Sequence, residues 1–140
     1  MKQEILIESK QLPYIWSEAA EVINKGLSHS NGEADADSFF LPLYAGRQYL
    51  WVGYDTDVEE EEIEAVLIGE IIKYPLKTSL FIHVWATKSG HDYEPWMKLW
   101  DSITNFAKIN GCDFIEAKVR KGLAKKLNWT DKHSLVTLQL

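Results

Sequence analysis

The sequence lacks any long apolar run and contains a single cysteine. No stretch approaches the roughly 18 apolar residues of a membrane-spanning helix, so no part of the chain is expected to lie within a membrane. A lone cysteine, Cys112, excludes a disulfide framework or a cysteine-based zinc site within one chain. Because Cys112 follows a predicted helix end and begins a predicted strand, we expect it to be a core thiol.

Positive charge is also scarce. The chain has 15 Lys and Arg residues against 21 Asp and Glu residues, a net charge of −6. Nucleic acid is therefore not an expected partner, because binding it requires a basic face that displaces counterions from phosphates. One basic cluster lies between Lys118 and Lys126, and we interpret it as a solvated helix end rather than a phosphate site.

The remaining composition is that of one globular domain covering residues 1–140. A hydrophobic share of 46% and a charged share of 26% are typical of soluble proteins, and no repeat or linker divides the chain. Glu4 and Glu8 interrupt the N-terminal apolar residues too early for a signal peptide. We therefore expect the protein in the cytoplasm where it is made, or packaged into a particle assembled there.

Two helices are predicted in the first third of the chain. The first carries an apolar stripe at helical spacing and should end at Gly26; the stripe consists of Leu12, Ile15, Trp16, Ala19, Val22 and Ile23. Asp37 and Ser38 can cap a short second helix, which Pro42 disturbs and Gly46 ends. A hairpin should follow, with strands at Gln48–Tyr54 and Glu62–Lys73.

The segment Leu80–Val119 has the pattern of a β-α-β unit. Leu80–Trp85 is apolar and β-branched enough for a buried strand, and Phe114–Val119 reads as a second strand beside it. Pro95 suits the start of the intervening helix and Gly111 its end. We expect the two strands to be parallel neighbours. One helix face should be buried, namely Trp96, Leu99, Trp100, Ile103, Phe106 and Ala107.

A short helix at Gly122–Leu127 and a last strand at Leu135–Leu140 complete the order β-α-α-β-β-β-α-β-α-β. This order in one α/β domain with a mixed sheet resembles the GNAT acetyltransferase fold. More narrowly, the chain resembles the small GNAT-like proteins encoded in bacteriophage genomes, roughly from Tyr14 to its end. The resemblance rests on Gln48–Val52, Gly69–Pro75, Trp100 with Ala107–Cys112, and Arg120 ahead of Trp129.

The resemblance implies a position for acetyl-CoA, after the central strand. That segment here consists of Ala86, Thr87, Lys88, Ser89 and Gly90. GNAT enzymes carry Gln/Arg-x-x-Gly-x-Gly/Ala there, where backbone amides cradle the pyrophosphate. This chain has only one glycine in the loop, and Asp92 and Glu94 add negative charge at the helix start. The tyrosine that GNAT enzymes often use as general acid is absent from Lys121–Trp129.

The candidate catalytic residues are Glu70, Glu116 and His83. Either glutamate can be the base through which some GNAT enzymes deprotonate an amine, although strand alternation also suits an exposed sheet face. His83 can act as a base at neutral pH, but a strand histidine among apolar neighbours also suits a packed position. His29 and His91 lie in predicted loops without metal-ligand spacing, so no metal site is expected.

Two functions follow. The incomplete loop predicts that acetyl-CoA binds weakly or not at all, so that a GNAT-fold protein of bacteriophage type acts by binding a protein partner, as a virion or morphogenesis component or a modulator of a host protein. The alternative is an active acetyl-CoA-dependent N-acetyltransferase that acts on an amine.

Overall fold

A mixed sheet carries helices on both of its faces in the computed structural model, which describes residues 1–28, 32–59, 61–89, 93–98, 100–118, 127–130, 132 and 136–140. Within these residues the sheet has five strands in the order β1-β2-β3-β4-β5. The strands are β1 (Lys2–Leu6), β2 (Tyr49–Asp55), β3 (Ala65–Lys73), β4 (Thr78–Thr87) and β5 (Phe114–Ala117). The helices are α1 (Leu12–Leu27), α2 (Asp37–Tyr44), α3 (Glu94–Met97) and α4 (Trp100–Ile109).

The predicted β-α-β unit is confirmed. Strands β4 and β5 pair in parallel, with four residue pairs from Ser79 opposite Phe114 to Ile82 opposite Ala117. The other neighbouring strands are antiparallel, including the predicted hairpin of β2 and β3. Gly111 has a φ of +74°, as a glycine that ends a helix in the left-handed conformation should. The sheet is therefore antiparallel except at β4 and β5.

Each face of the sheet has its own core, because successive strand residues point to opposite sides. In β2, Leu50 and Val52 join the core beneath α1 and α2, whereas Trp51 joins the core beneath α4. The strand β3 is buried on both faces over Ala65–Ile68, which explains its nearly continuous apolar sequence.

A β-bulge interrupts the pairing of β3 with β4. Ile68 lies opposite Val84 but the next pair is Gly69 with Ile82, so His83 is an extra residue on β4. As a result two consecutive side chains face the same side. Val84 belongs to the core beneath α1, and the His83 ring contacts Phe39 of α2 at a centroid distance of 6.0 Å.

The prediction of one central helix is wrong in one respect, because the segment forms two helices, α3 and α4. Trp96 is buried over Gly53 of β2, whereas Trp100 contacts Trp85 of β4 with ring centroids 5.3 Å apart. The two tryptophans thus pack against strands that lie two apart in the sheet.

The burial predicted for this helical face is confirmed only in part. Trp96, Ile103 and Ala107 are buried, but Trp100 and Phe106 are half-buried. Leu99 lies outside the described residues. Cys112 is half-buried at the edge of the α4 core, and burial raises the pKa of its thiol.

The predicted last strand, Leu135–Leu140, is not formed. Residues 136–140 have no regular structure, and Val136, Leu138 and Leu140 are more than 80% exposed. Alternating apolar residues form a strand only when a sheet edge pairs with them, and these residues have no such partner in the described part of the chain. Apart from Leu127, the predicted helix at Gly122–Leu127 lies outside the described residues, as do Val119 and most of the basic cluster. The predicted order is thus not confirmed beyond β5.

Gly26 does not end the first helix, which runs on to Leu27. The role of Gly26 is to allow α1 to lie close to β4. A Cβ atom added at Gly26 would lie 2.6 Å from the Cβ of Ala86, closer than side chains tolerate. The glycine therefore lets the helix lie directly on the strand end where the cofactor segment was predicted.

Gly26→Ala is expected to lower the free energy of unfolding by about 1–3 kcal/mol, the usual cost of overpacking a core. At an open helical site the same change would raise it by roughly 0.5–1 kcal/mol, because alanine is the better helix former. Urea unfolding gives the sign directly. Adding Ala86→Gly should restore most of the loss, and a stabilised single variant would contradict the close approach.

Glu4 of β1 is a carboxyl group held between the sheet and α4. It lies opposite Gly53, and its Oε1 accepts a hydrogen bond of 3.2 Å from the Ser102 hydroxyl. Burial raises the pKa of Glu4 to about 7, and the bond from Ser102 offsets only part of that effect. A proton is therefore bound more tightly in the folded state than in the unfolded state.

The free energy of unfolding should consequently fall as pH rises from about 4.5 to above 7. Glu4→Gln should remove this loss, which stabilises the protein by about 1–3 kcal/mol at pH 8 and hardly at all at pH 4. Thermal unfolding at both pH values measures it. Glu61→Gln is the control, because Glu61 is exposed; an equal gain in the control would contradict the burial effect.

Candidate active site

The β-bulge brings two of the predicted catalytic residues together. Glu70 of β3 lies opposite Phe81 of β4, and the extra residue His83 points to the same face. The His83 Nε2 lies 2.9 Å from the Glu70 Oε1, and both side chains are about 30% exposed. The sequence predicted Glu70 and His83 as separate candidates. In the structure they form a hydrogen-bonded pair that is open to solvent.

Gln48 also binds Glu70. The β2–β3 register, continued one step beyond Tyr49 and Gly69, places Gln48 directly opposite Glu70. The Gln48 Nε2 donates to the Glu70 Oε1 over 3.0 Å. Both donors reach the same oxygen, and within the described part of the chain no group donates to the Glu70 Oε2.

Aromatic rings border the pair. The His83 ring lies 4.9 Å from the Phe81 ring and 6.0 Å from the Phe39 ring. Phe39 is buried in α2, whereas Phe81 is half-buried in the middle of the sheet. The Glu70 carboxylate therefore lies on a face of the sheet where its surroundings are apolar.

Glu116 does not join the pair. It lies opposite Phe81 on the other side, so Glu70 and Glu116 occupy strands two apart, about 10 Å. The Tyr74 hydroxyl donates to the Glu116 Oε2 over 3.0 Å, and this bond raises the pKa of Tyr74. Glu116 is thus engaged at the edge of the sheet, on the same face as Glu70.

The second half of β4 has an open edge. Pairing with β5 ends at Ile82, whereas β4 continues to Thr87. Among the described residues no strand pairs with His83–Thr87 on the β5 side. The Tyr93 hydroxyl donates to the Trp85 carbonyl over 3.2 Å, which leaves that oxygen one further lone pair. The half-buried His83 and Trp85 can therefore form backbone hydrogen bonds to an extended ligand. The other residues of this stretch, Val84, Ala86 and Thr87, are almost inaccessible.

The predicted cofactor segment lies at the end of this edge. Ala86 and Thr87 are buried in β4, and Lys88 and Ser89 form an exposed turn after it. The Thr87 and Ser89 hydroxyls are 3.2 Å apart. Gly90, Asp92 and the loop histidines His29 and His91 lie outside the described residues.

Two lysines lie at the turn. Lys88 forms an ion pair with Glu62, which raises the pKa of the Lys88 ammonium group. The Lys25 Nζ donates to the Lys88 carbonyl over 2.7 Å. Glu94, in the first turn of the four-residue α3, brings the predicted negative charge. Of the basic cluster, Lys118 is described, and its ammonium pairs with Glu33.

Sequence reasoning missed Gln48 and Lys25. In the sequence Gln48 begins a predicted strand. Only the register of the β2–β3 hairpin, which the sequence does not give, places it opposite Glu70. Lys25 lies far from the turn in sequence, and no local pattern connects them. In the described residues no group of His, Cys, Asp and Glu side chains could hold a metal ion, and no helix is long and apolar enough to cross a membrane.

Neither a protein-family model nor a curated protein matches the sequence. Solved structures do match. An aminoglycoside acetyltransferase, meta-AAC0020, from an uncultured soil metagenomic sample in complex with sisomicin has a TM-score of 0.70 at 13% identity, covering 99% of this chain and 95% of its own. The chain has the GNAT acetyltransferase fold.

Two further GNAT-fold structures come from bacteria. A predicted acetyltransferase with acetyl-CoA from Clostridium acetobutylicum has a TM-score of 0.66 at 16% identity, covering 99% of this chain and 96% of its own. A possible acetyltransferase from Clostridium difficile 630 has a TM-score of 0.64 at 13% identity, covering 100% and 98%. At these identities the likeness shows the fold alone. None of the three supports the bacteriophage origin that the sequence resemblance implied.

Proposed function

We propose that this protein is an acetyl-CoA-dependent N-acetyltransferase that acts on an amine, with Glu70 as the base and His83 as its partner. The Glu70–His83 pair next to the open edge of β4 carries this proposal. The incomplete loop favours weak cofactor binding, but it bears on the pyrophosphate end alone. The backbone of β4 offers a second set of contacts, which does not depend on glycine.

The described residues fit acetyl-CoA at that edge. The backbone groups of the half-buried His83 and Trp85 would hold the extended pantetheine arm, because an extended chain can add to a strand edge. Lys25 would lie toward the phosphates, which need positive charge, whereas Lys88 is already paired with Glu62. When bound, acetyl-CoA supplies the acetyl group as a thioester.

Glu70 is suited to remove the proton that blocks an amine at neutral pH. An ammonium group has no lone pair for attack, so a base must take one proton before acyl transfer. The Glu70 Oε2 can accept that proton, because the internal bonds of the described residues go to Oε1. The net charge of −6 favours the approach of a cationic substrate.

A second candidate is favoured by the loop itself. The stretch Thr87–Glu94 contains one glycine and the acidic Glu94, and it lacks the pyrophosphate motif of GNAT enzymes. A GNAT-fold protein that has lost its cofactor would act by binding a protein partner, in a bacteriophage or its host. The two candidates differ in whether acetyl-CoA binds.

Isothermal titration should show acetyl-CoA binding with a Kd of roughly 1–100 μM, a binding free energy of about 5–8 kcal/mol. Lys25→Gln should weaken binding by roughly twofold to fivefold, as the loss of an exposed charge contact does. Lys108→Gln on α4 is the matched control. Absence of binding at 1 mM acetyl-CoA would contradict the enzyme and favour the protein-binding candidate.

Glu70→Gln should lower kcat for acetylation of a panel of primary amines by roughly 100-fold to 10,000-fold, the contribution of a general base. The Kd of acetyl-CoA should stay within twofold. Glu116→Gln is the matched control, because Glu116 faces the same side but is bound to Tyr74. Thiol release measures both variants. Equal losses in the two would argue against Glu70 as the base.

A further inference from the structure

The side chains of His83 and Gln48 hold the same oxygen of Glu70. The Gln48 side chain has no other hydrogen-bond partner among the described residues. His83 and Gln48 both contact Oε1, at 2.9 Å and 3.0 Å. We infer that Gln48 is a positioning residue, which fixes the Glu70 carboxylate so that Oε2 faces the incoming amine. This inference rests on the proposed function and goes beyond it, because it assigns a role to a residue that contacts neither substrate nor cofactor.

Gln48 is itself held firmly. Its backbone N–H donates to the Pro42 carbonyl over 3.2 Å, and the N–H of Arg47 donates to the same oxygen over 2.9 Å. Pro42 lies in α2, the helix whose Phe39 contacts the His83 ring. One short helix therefore positions both of the groups that bind Glu70.

The Gln48 amide has a buried acceptor without a partner. Its Oε1 is inaccessible to solvent and receives no hydrogen bond from the residues that the structure describes. Such an atom costs free energy, and a leucine of similar size would avoid the cost. Rotating the amide would not help, because it would place Oε1 against the carboxylate oxygen of Glu70, and both are acceptors. The contact with Glu70 is what accounts for a glutamine at this position.

The same geometry fixes the His83 ring. An ionised carboxylate only accepts hydrogen bonds, so the Nε2 of a neutral His83 must carry the proton that it donates to Glu70. If Gln48 is removed, Glu70 loses one of its two anchors and can rotate away from the ring. The tautomer of His83 thus reports on the position of Glu70 without any need for turnover.

The test compares Gln48→Leu with Gln3→Leu, a matched change on β1, two strands from Glu70. Gln48→Leu should lower kcat by roughly tenfold or more, part of what a general base contributes, with the KM for acetyl-CoA within twofold. Its melting temperature should stay equal or rise, because the buried unpaired oxygen is gone. Gln3→Leu should leave kcat unchanged.

Imidazole ¹⁵N shifts supply the second readout. In the wild-type protein the neutral His83 ring should be protonated at Nε2, and in Gln48→Leu both tautomers should be populated. An unchanged His83 spectrum together with an unchanged kcat would overturn the positioning role. A wild-type protein that transfers no acetyl group would contradict the proposed function instead, and the spectrum would still decide whether Gln48 holds Glu70.

Discussion

The short pairing between β4 and β5 is the constraint on which the candidate site depends. Four residue pairs join the strands. From His83 to Thr87, β4 pairs with β3 but has no strand on the β5 side in the described part of the chain. Backbone groups that leave a sheet must find other partners, in protein, water or a ligand. Ala86 and Thr87 are almost inaccessible, so the half-buried His83 and Trp85 carry the backbone groups that an extended ligand can reach.

The β-bulge on the same strand forms the candidate site. The extra residue of the bulge is His83, which therefore points to the same face as Glu70. On β3, Gly69 lies directly beside the bulge. Glycine inside a strand often marks such a bulge. A Cβ atom at Gly69 would lie 3.0 Å from a methyl carbon of Leu80, so the glycine also lets the opposite core pack closely. One irregularity thereby affects both the contact between Glu70 and His83 and the packing of the sheet.

Much of the scaffold could be predicted because local patterns determine it. Pro95, Gly111 and the apolar runs of β4 and β5 predicted the crossover, and the structure confirms it. The site was harder, since Glu70 and His83 were candidates whose pairing depends on a register shift that no pattern shows. The predictions of one continuous helix across Lys98 and of a last strand were wrong, because both features depend on contacts that are distant in sequence. Reasoning about glycine in the loop could not reveal an open backbone edge.

Residue-resolved hydrogen exchange along β4 tests the open edge most directly. Amides of β4 that bond to β5 before Ile82 should exchange slowly without ligand, whereas those of the half-buried His83 and Trp85 that do not bond to β3 should exchange quickly. Acetyl-CoA should then slow exchange of the second group while leaving the first unchanged. Uniform protection of β4 in the free protein, or no change of the second group on addition of acetyl-CoA, would contradict the account.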